Sequence, residues 1–367
     1  MDDYVLKSPI PYDPAFEKFE DDENETIEEL IQTLDSISKT TSNDNHHAVR
    51  SVHAKCHGLL RGKLKVKPDL PAYLAQGLFA KDGEYPVALR LSTSPGDILD
   101  DNVSTPRGMA IKVFNVQGKR LYGDASNNTQ DFLLVDGPAF LKADAKSFVS
   151  SLKLLAKTTD KAEGFKKAFS SLLQSTEKVI ESMGGKSPAV ISMGGHPETN
   201  ILGETFYSQV PILYGPYMVK VSVAPASANL KALTKAPVDL KDAPNGLRET
   251  VATFFKDNAA EWEVRVQFCN NLDSMPIEDA SVIWPEDESP YITVATIVVE
   301  PQTSWDEKIS PMVEDKLAFG PWNGIAAHRP LGSVMRARKA TYDSSTNYRK
   351  QFNGCPLGEV RSLDKLN

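Results

Sequence analysis

Three short groupings in this 367-residue chain bring together side chains able to do chemistry. The first is Arg50-Ser51-Val52-His53-Ala54-Lys55, where His53 is the residue type best suited to move protons near neutral pH. Cys56 and His57 follow directly, so that three potential zinc ligands stand in five residues, without an obvious fourth ligand or a CxxC pair. The second is Val87–Thr93, where strand alternation places Ala88, Arg90 and Ser92 on one face and Val87, Leu89 and Leu91 on the other. If the Arg90 face points into a barrel, that buried guanidinium requires an anion. The third is Arg338 and Tyr342. Four residues apart on a helix, they share one face at roughly 5–6 Å. The chain carries no G-x-S-x-G elbow, no G-x-G-x-x-G fingerprint and no phosphate loop, so nucleophilic serine chemistry and nucleotide binding have no motif to rest on.

These groupings must be held by elements that the patterning predicts. Residues 1–20, with three prolines, read as an extended arm, and residues 21–40 as an amphipathic helix carrying Ile27, Leu30, Ile31, Leu34 and Ile37. Strand patterns occupy Gly58–Val66, Val87–Thr93, Met109–Phe114, Asp131–Val135, Thr205–Ile212, Tyr217–Ala224, Glu261–Cys269 and Tyr291–Glu300. Helical patterns occupy 142–157, 162–183 and 247–258, and Gly194-Gly195-His196-Pro197 interrupts the second of these. Residues 226–246 read as a surface excursion, and 306–367 as helical, including a basic helix Leu331–Tyr342 behind Pro330. About eight strands separated by irregular helical insertions do not alternate as βαβ units. An antiparallel barrel with helical insertions, an α+β fold, accommodates them.

Composition narrows the functional classes. With 41 basic against 49 acidic residues the net charge is −8, which argues against nucleic-acid or acidic-membrane partners. Cys56, Cys269 and Cys355 are an odd, widely spaced set and suit a reducing compartment. The acidic start Met1-Asp2-Asp3-Tyr4 shows no signal peptide, and no window reaches the roughly 18 apolar residues of a membrane span. A cytoplasmic protein is expected.

Four islands, in order, resemble the haem catalases. Arg50–Lys55 is similar to their R-V-V-H-A-K/R segment, and Val87–Thr93 with Thr105-Pro106-Arg107-Gly108 to V-R-F-S-T and D-P-R-G-F-A. Asn127-Asn128-Thr129, followed by Phe132, resembles N-N-T-P-x-F-F, and Arg338-x-x-x-Tyr342 resembles R-x-x-x-Y. The resemblance spans roughly residues 47–350, flanked by an N-terminal arm and helix (1–46) and a C-terminal tail (351–367). Because the chain stops soon after Tyr342, it looks like a small catalase-related haem peroxidase. The implied fold is an eight-stranded antiparallel barrel whose C-terminal helical region carries the proximal ligand.

The resemblance also implies roles. Tyr342 matches the tyrosinate that ligates haem b iron, with Arg338 favouring the phenolate of a side chain whose ordinary pKa is near 10. His53 matches the distal proton carrier, Asn127 the polarising amide, and Ser92 the hydroxyl that holds the imidazole. Arg50, Arg90 and Arg349 match propionate partners. Val52 lies over the haem face, and Phe132 and Phe140 pack beside it. Expected partners are a peroxide (hydrogen peroxide or an organic hydroperoxide) and a small-molecule reductant, with room for a homodimer. Gln130 and Leu133 depart from the family's pattern, as do Asp343-Ser344-Ser345, Cys56 and His57. Efficient disproportionation of hydrogen peroxide therefore does not follow. A haem hydroperoxide isomerase and a non-catalytic haem protein are the alternatives. Val52, where the isomerases carry Thr, favours the peroxide-reducing reading.

Overall fold

Alternating apolar residues make strands only if something covers their apolar face. Here eight of the nine strands among the described residues solve this by curling around one another. The computed structural model describes residues 8–103, 105–122, 127–156, 198–354 and 360–366. The strands are β1 (Lys55–Val66), β2 (Gly83–Thr93), β3 (Arg107–Val113), β4 (Gln130–Val135), β5 (Phe206–Tyr207), β6 (Ile212–Tyr214), β7 (Tyr217–Pro225), β8 (Ala260–Phe268) and β9 (Ile292–Val299). Every pairing is antiparallel, in the order β5-β4-β3-β2-β1-β9-β8-β7, and β5 pairs with both β4 and β7. Eight strands thus close into a barrel that leaves no open edge, and β6 is a hairpin partner of β7 outside the ring.

The barrel interior is built from the bulky apolar face of each strand. Val87, Leu89 and Leu91 meet Met109, Ile111 and Val113, and across the barrel Val221, Val223, Trp262 and Val264, in one buried cluster. The opposite face of β2 points outward. Ala88 packs with Leu59, Phe114, Leu317 and Phe319 in a separate cluster outside the ring. Arg90 and Ser92 share that outer face, which corrects the expectation that Arg90 points into the barrel. Period two determines which residues share a face, while the interior takes whichever face loses least on leaving water.

Three of the helices among the described residues, α1 (Glu23–Asn45), α2 (Ala145–Ala156) and α4 (Ser333–Phe352), stand over this outer surface, whereas α3 (Gly246–Asp257) packs Leu247, Val251 and Phe255 into the interior cluster. Leu30 and Leu34 of α1, Val149 and Leu152 of α2 and Ala337 of α4 form one cluster. The last helix starts two residues later than the sequence predicts, because Gly332 takes a left-handed φ of 84°. It also runs ten residues further, to Phe352, so Arg349 lies on the helix that carries Tyr342. Apart from α4, the described residues after 306 form only short helical turns, at Ile309–Lys316, Ala326–His328 and Leu363–Leu366. The predicted strand Thr205–Ile212 is broken into β5 and the start of β6 by Gln209, at φ 62°. The predicted helix 162–183 and the Gly194–Pro197 break lie outside the described residues.

Between β3 and β4 the outer face buries an ion pair. Lys112 Nζ lies 2.7 and 2.9 Å from the two oxygens of Asp131, and the Gly320 N–H donates to the same carboxylate at 2.9 Å. Burial pushes the Asp131 carboxyl up, against the pull of Lys112. Removing one partner of a buried pair leaves the other charge uncompensated. Lys112→Met is therefore expected to destabilise the fold by about 3–5 kcal/mol, and Lys112→Met with Asp131→Leu to recover most of that loss. Urea unfolding measures both; a loss below about 1 kcal/mol for Lys112→Met would contradict the pair's role.

Candidate active site

The space between strands β2–β4 and helices α1, α2 and α4 holds a two-lobed cavity. The first lobe, of about 100 Å³, is lined by Arg50, His53, Arg90, Ser92, Gly108, Phe319, Arg338, Tyr342 and Arg349. The second, of about 250 Å³, is walled mainly by apolar side chains, among them Leu30, Leu34, Phe140, Phe148, Leu152 and Val334. Val52, His53, Arg338 and Tyr342 line both lobes and mark their junction. Of the eleven expected site residues, the structure brings nine to this cavity: Arg50, Val52, His53, Arg90, Ser92, Phe140, Arg338, Tyr342 and Arg349.

His53 precedes β1 in the left-handed region, at φ 51°, and this local twist turns its ring onto Gly108 of β3. A Cβ at Gly108 would stand 2.8 Å from His53 Nδ1 and 3.0 Å from Ser92 Oγ, so only glycine admits the imidazole there. Ser92 Oγ lies 3.4 Å from Nδ1 and Ser94 Oγ 3.3 Å from Nε2, two loose contacts that hold the ring edge to edge. Burial, reinforced by the Arg90 and Arg338 guanidiniums, pushes the imidazole pKa down to about 3. The ring is therefore neutral at physiological pH, with one nitrogen carrying the proton and the other free to accept one. Its neighbour His57 points elsewhere, its Nε2 2.9 Å from Thr93 Oγ1.

Across the junction, Arg338 donates to the Tyr342 hydroxyl at 2.9 Å and to Met335 Sδ at 3.5 Å. A fixed cation thus stands against the phenol oxygen, where it compensates any negative charge placed there.

One end of the first lobe is crowded with positive charge. Arg50 meets the Glu314 carboxylate at 2.7 Å and donates to the Val313 and Leu317 carbonyls. Arg90 lies 3.9 Å from the same carboxylate, and Arg349 donates to the Glu314 main-chain oxygen at 2.8 Å. Asp315, the other acid acting on Arg349, is engaged by His47 at 2.9 Å. Three guanidiniums thus gather at Glu314, two at its carboxylate and Arg349 at its main-chain oxygen. Burial and mutual repulsion push Arg50 well down, and burial brings Arg349 to about 10. The Nε atoms of Arg90 and Arg349 are buried without a hydrogen-bond partner among the described residues. Such a cluster calls for an added anion with several acceptor oxygens.

Two expected site residues are not brought to the cavity. Phe132 faces the barrel interior, where it meets the His328 ring, and alternation gives the cavity-lining position to Leu133 instead. Asn127 stands at the far end of β4. Gly108, beneath His53, pairs with Val135, whereas Val113 pairs with Gln130, five residues or roughly 16–17 Å further along the strand. There Asn127 donates to Asn323 Oδ1 at 2.9 Å and accepts from Thr129. Conversely, Ser94, Glu314 and Phe319 belong to the site or its arginine end yet lie in none of the four islands, and Leu133 stands where the sequence departs from the family's pattern. Carrying the alternation into β4 would have found Leu133; Glu314 has no local signal.

Two buried histidines, His57 and His328, and the half-buried His53 at the cavity make the fold acid-sensitive. Burial holds His53 at about 3, His328 at about 4 and His57 well below 6.5. In the unfolded chain all three titrate near 6.5, so below that pH the unfolded state binds protons that the folded state refuses, and stability falls as pH falls. Each is expected to contribute a slope of about 1.4 kcal/mol per pH unit. His53→Gln should flatten the dependence of unfolding free energy on pH between 6 and 4 by that amount; an unchanged slope would show that His53 titrates alike in both states.

Comparison with known proteins gives this geometry a context. The family model described as Catalase matches residues 22–354. Among solved structures, catalase A from Saccharomyces cerevisiae superposes with a TM-score of 0.61 at 20% identity, covering 86% of this chain and 64% of that one. A fungal catalase gives 0.60 at 17% identity, covering 87% and 64%, and a bacterial catalase 0.59 at 16%, covering 88% and 62%. The chain thus spans slightly less than two thirds of the length of these catalases. Their shared fold and the family match over most of its residues lead to one conclusion: this chain belongs to the catalase family.

Proposed function

We propose that the two-lobed cavity binds haem b and that the protein uses it to reduce peroxides. The observation that carries this reading is the cavity's polarity. An anion-seeking end built from Arg50, Arg90 and Arg349 passes into an apolar lobe, with His53 and Tyr342 at the junction. That gradient suits a ligand with carboxylates on one edge and hydrocarbon on the other. The orphaned Nε atoms of Arg90 and Arg349 are the donors such carboxylates would satisfy.

In this reading Tyr342 would hold the iron through its phenol oxygen, and Arg338, which donates to that oxygen, would compensate the charge of a phenolate. Haem, when bound, supplies the redox-active metal. The remaining work is done by the chain. His53, neutral at pH 7, accepts the proton of the peroxide's reacting oxygen and returns it to the departing oxygen. Ser92 and Ser94 keep the ring in place for both transfers. Asn127, engaged by Asn323 and Thr129, is not positioned to polarise the peroxide, so His53 works without that second group. This favours reduction of the peroxide by an external donor over rapid disproportionation. The peroxide is hydrogen peroxide or an organic hydroperoxide, and the donor a small-molecule reductant.

Purified protein supplied with haem should show a Soret band; its absence would remove the reading. His53→Ala should keep the band and lower peroxide consumption by about 10²–10⁴-fold, the usual worth of a positioned acid/base. Tyr342→Phe should release haem on gel filtration and change the spectrum, whereas retention with an unaltered spectrum would exclude Tyr342 as ligand. Since His53 titrates near pH 3, turnover should be flat from pH 5 to 8; an inflection near 6.5 would mean that its burial is lost in the working enzyme.

A further inference from the structure

Tyr122 and Trp322 form a parallel, stacked aromatic pair, with ring centroids 5.9 Å apart and planes inclined by 3°. Tyr122 is 42% exposed, one of the few large hydrophobic side chains left in water. The Lys339 ammonium sits 4.0 Å from the Tyr122 centroid and 5.9 Å from that of Trp322. Single exposed aromatics are ordinary, but two parallel rings bracketed by a cation are an ordered feature.

The pair is wired inward. Trp322 donates its indole N–H to the Met335 carbonyl at 2.6 Å. Met335 Sδ accepts from Arg338 at 3.5 Å, and Arg338 donates to the Tyr342 hydroxyl at 2.9 Å. Met335, Arg338 and Tyr342 recur at three and four residues on α4, so a single helix face carries the connection from the surface pair to the cavity junction.

We propose that Tyr122 and Trp322 are an electron port: a surface site at which electron-rich phenols and aromatic amines too bulky for the cavity are oxidised one electron at a time. The inference rests on the peroxide-reducing reading above. Reducing a hydroperoxide breaks its O–O bond and takes up two electrons and two protons, yielding an alcohol and water. Two phenol molecules each supply one electron and one proton and leave as phenoxyl radicals, so atoms and electrons balance. Trp322 gives an electron inward along the connection and regains one from the donor stacked on Tyr122. Lys339 attracts the neutral rings, and loss of an electron turns that attraction into repulsion. The oxidised pair is therefore a strong acceptor toward a docked donor.

The test uses the haem-loaded protein. With peroxide and no donor, peptide mass spectrometry should find oxygen adducts on Trp322 and Tyr122, and freeze-quench electron paramagnetic resonance a tryptophanyl or tyrosyl radical that Trp322→Phe changes. Trp322→Phe should lower oxidation of a bulky sulfonated azo dye at least 10-fold and leave the Soret band and oxidation of catechol, a small donor, unchanged. Tyr122→Leu, which alters only an exposed ring, should give the same split if folding of the first variant is in question. Wild-type protein that shows a Soret band yet consumes no peroxide would overturn both readings. Peroxide consumption with the dye rate intact in both variants and neither ring modified would overturn the port alone.

Discussion

Gathering three guanidiniums around Glu314, Arg90 and Arg349 buried and Arg50 half-buried, is the constraint on which the rest of the site depends. Arg50 comes from the loop before β1, Arg90 from the outer face of β2 and Arg349 from the end of α4, and Glu314 stands between them. No one of these elements could hold such a cluster alone. Their convergence means that the strand layer and the last helix are placed by a shared electrostatic centre. The excess positive charge there also lowers the affinity of neighbouring groups for protons. That is part of why His53, within the influence of Arg90, stays neutral. One cluster thus does two things: it seeks an anion, and it sets the protonation of the histidine nearby.

The last helix is the second organising element. One face presents Arg338, Tyr342 and Arg349 to the cavity, at intervals of four and seven residues. The other face is pinned. Arg336 reaches Glu23 at 2.7 Å, Glu278 at 2.9 Å and Glu17 at 3.2 Å, which ties the helix to the N-terminal arm, the start of α1 and the loop after β8. These acids are half-buried or buried, so the bonds orient the helix more strongly than surface pairs would. Precision at Tyr342 is therefore inherited from contacts on the far side of its helix.

Much of the fold was legible in the residue order. Seven of the eight predicted strand segments match strands to within a few residues, and the first helix and the 247–258 helix were recognisable from their apolar spacing. The cavity residues nearest the motifs were legible as well, because His53, Ser92, Arg338 and Tyr342 lie in short, recognisable islands. Where the reading failed, distance along the chain was the reason. Asn127 belongs to a recognisable island, yet it precedes Gln130, the end of β4 that lies five residues, roughly 16–17 Å, from the end nearest His53. Glu314 belongs to no island, and only folding brings it to Arg50, 264 residues away.

By itself the amino-acid order determined local periodicity: which residues form strands, which share a face, and that Arg338 lies one turn from Tyr342. These follow from sterics and hydrogen bonding within a few residues. Tertiary structure alone decided which face became the interior. Closing the ring through Phe206 and Tyr207 buried Val87, Leu89 and Leu91, and so turned Arg90 and Ser92 outward to meet the helices. It also decided which charges share a site and which expected residues stand apart. Burial and charge pairing sum over the whole chain, and no window of sequence contains that sum.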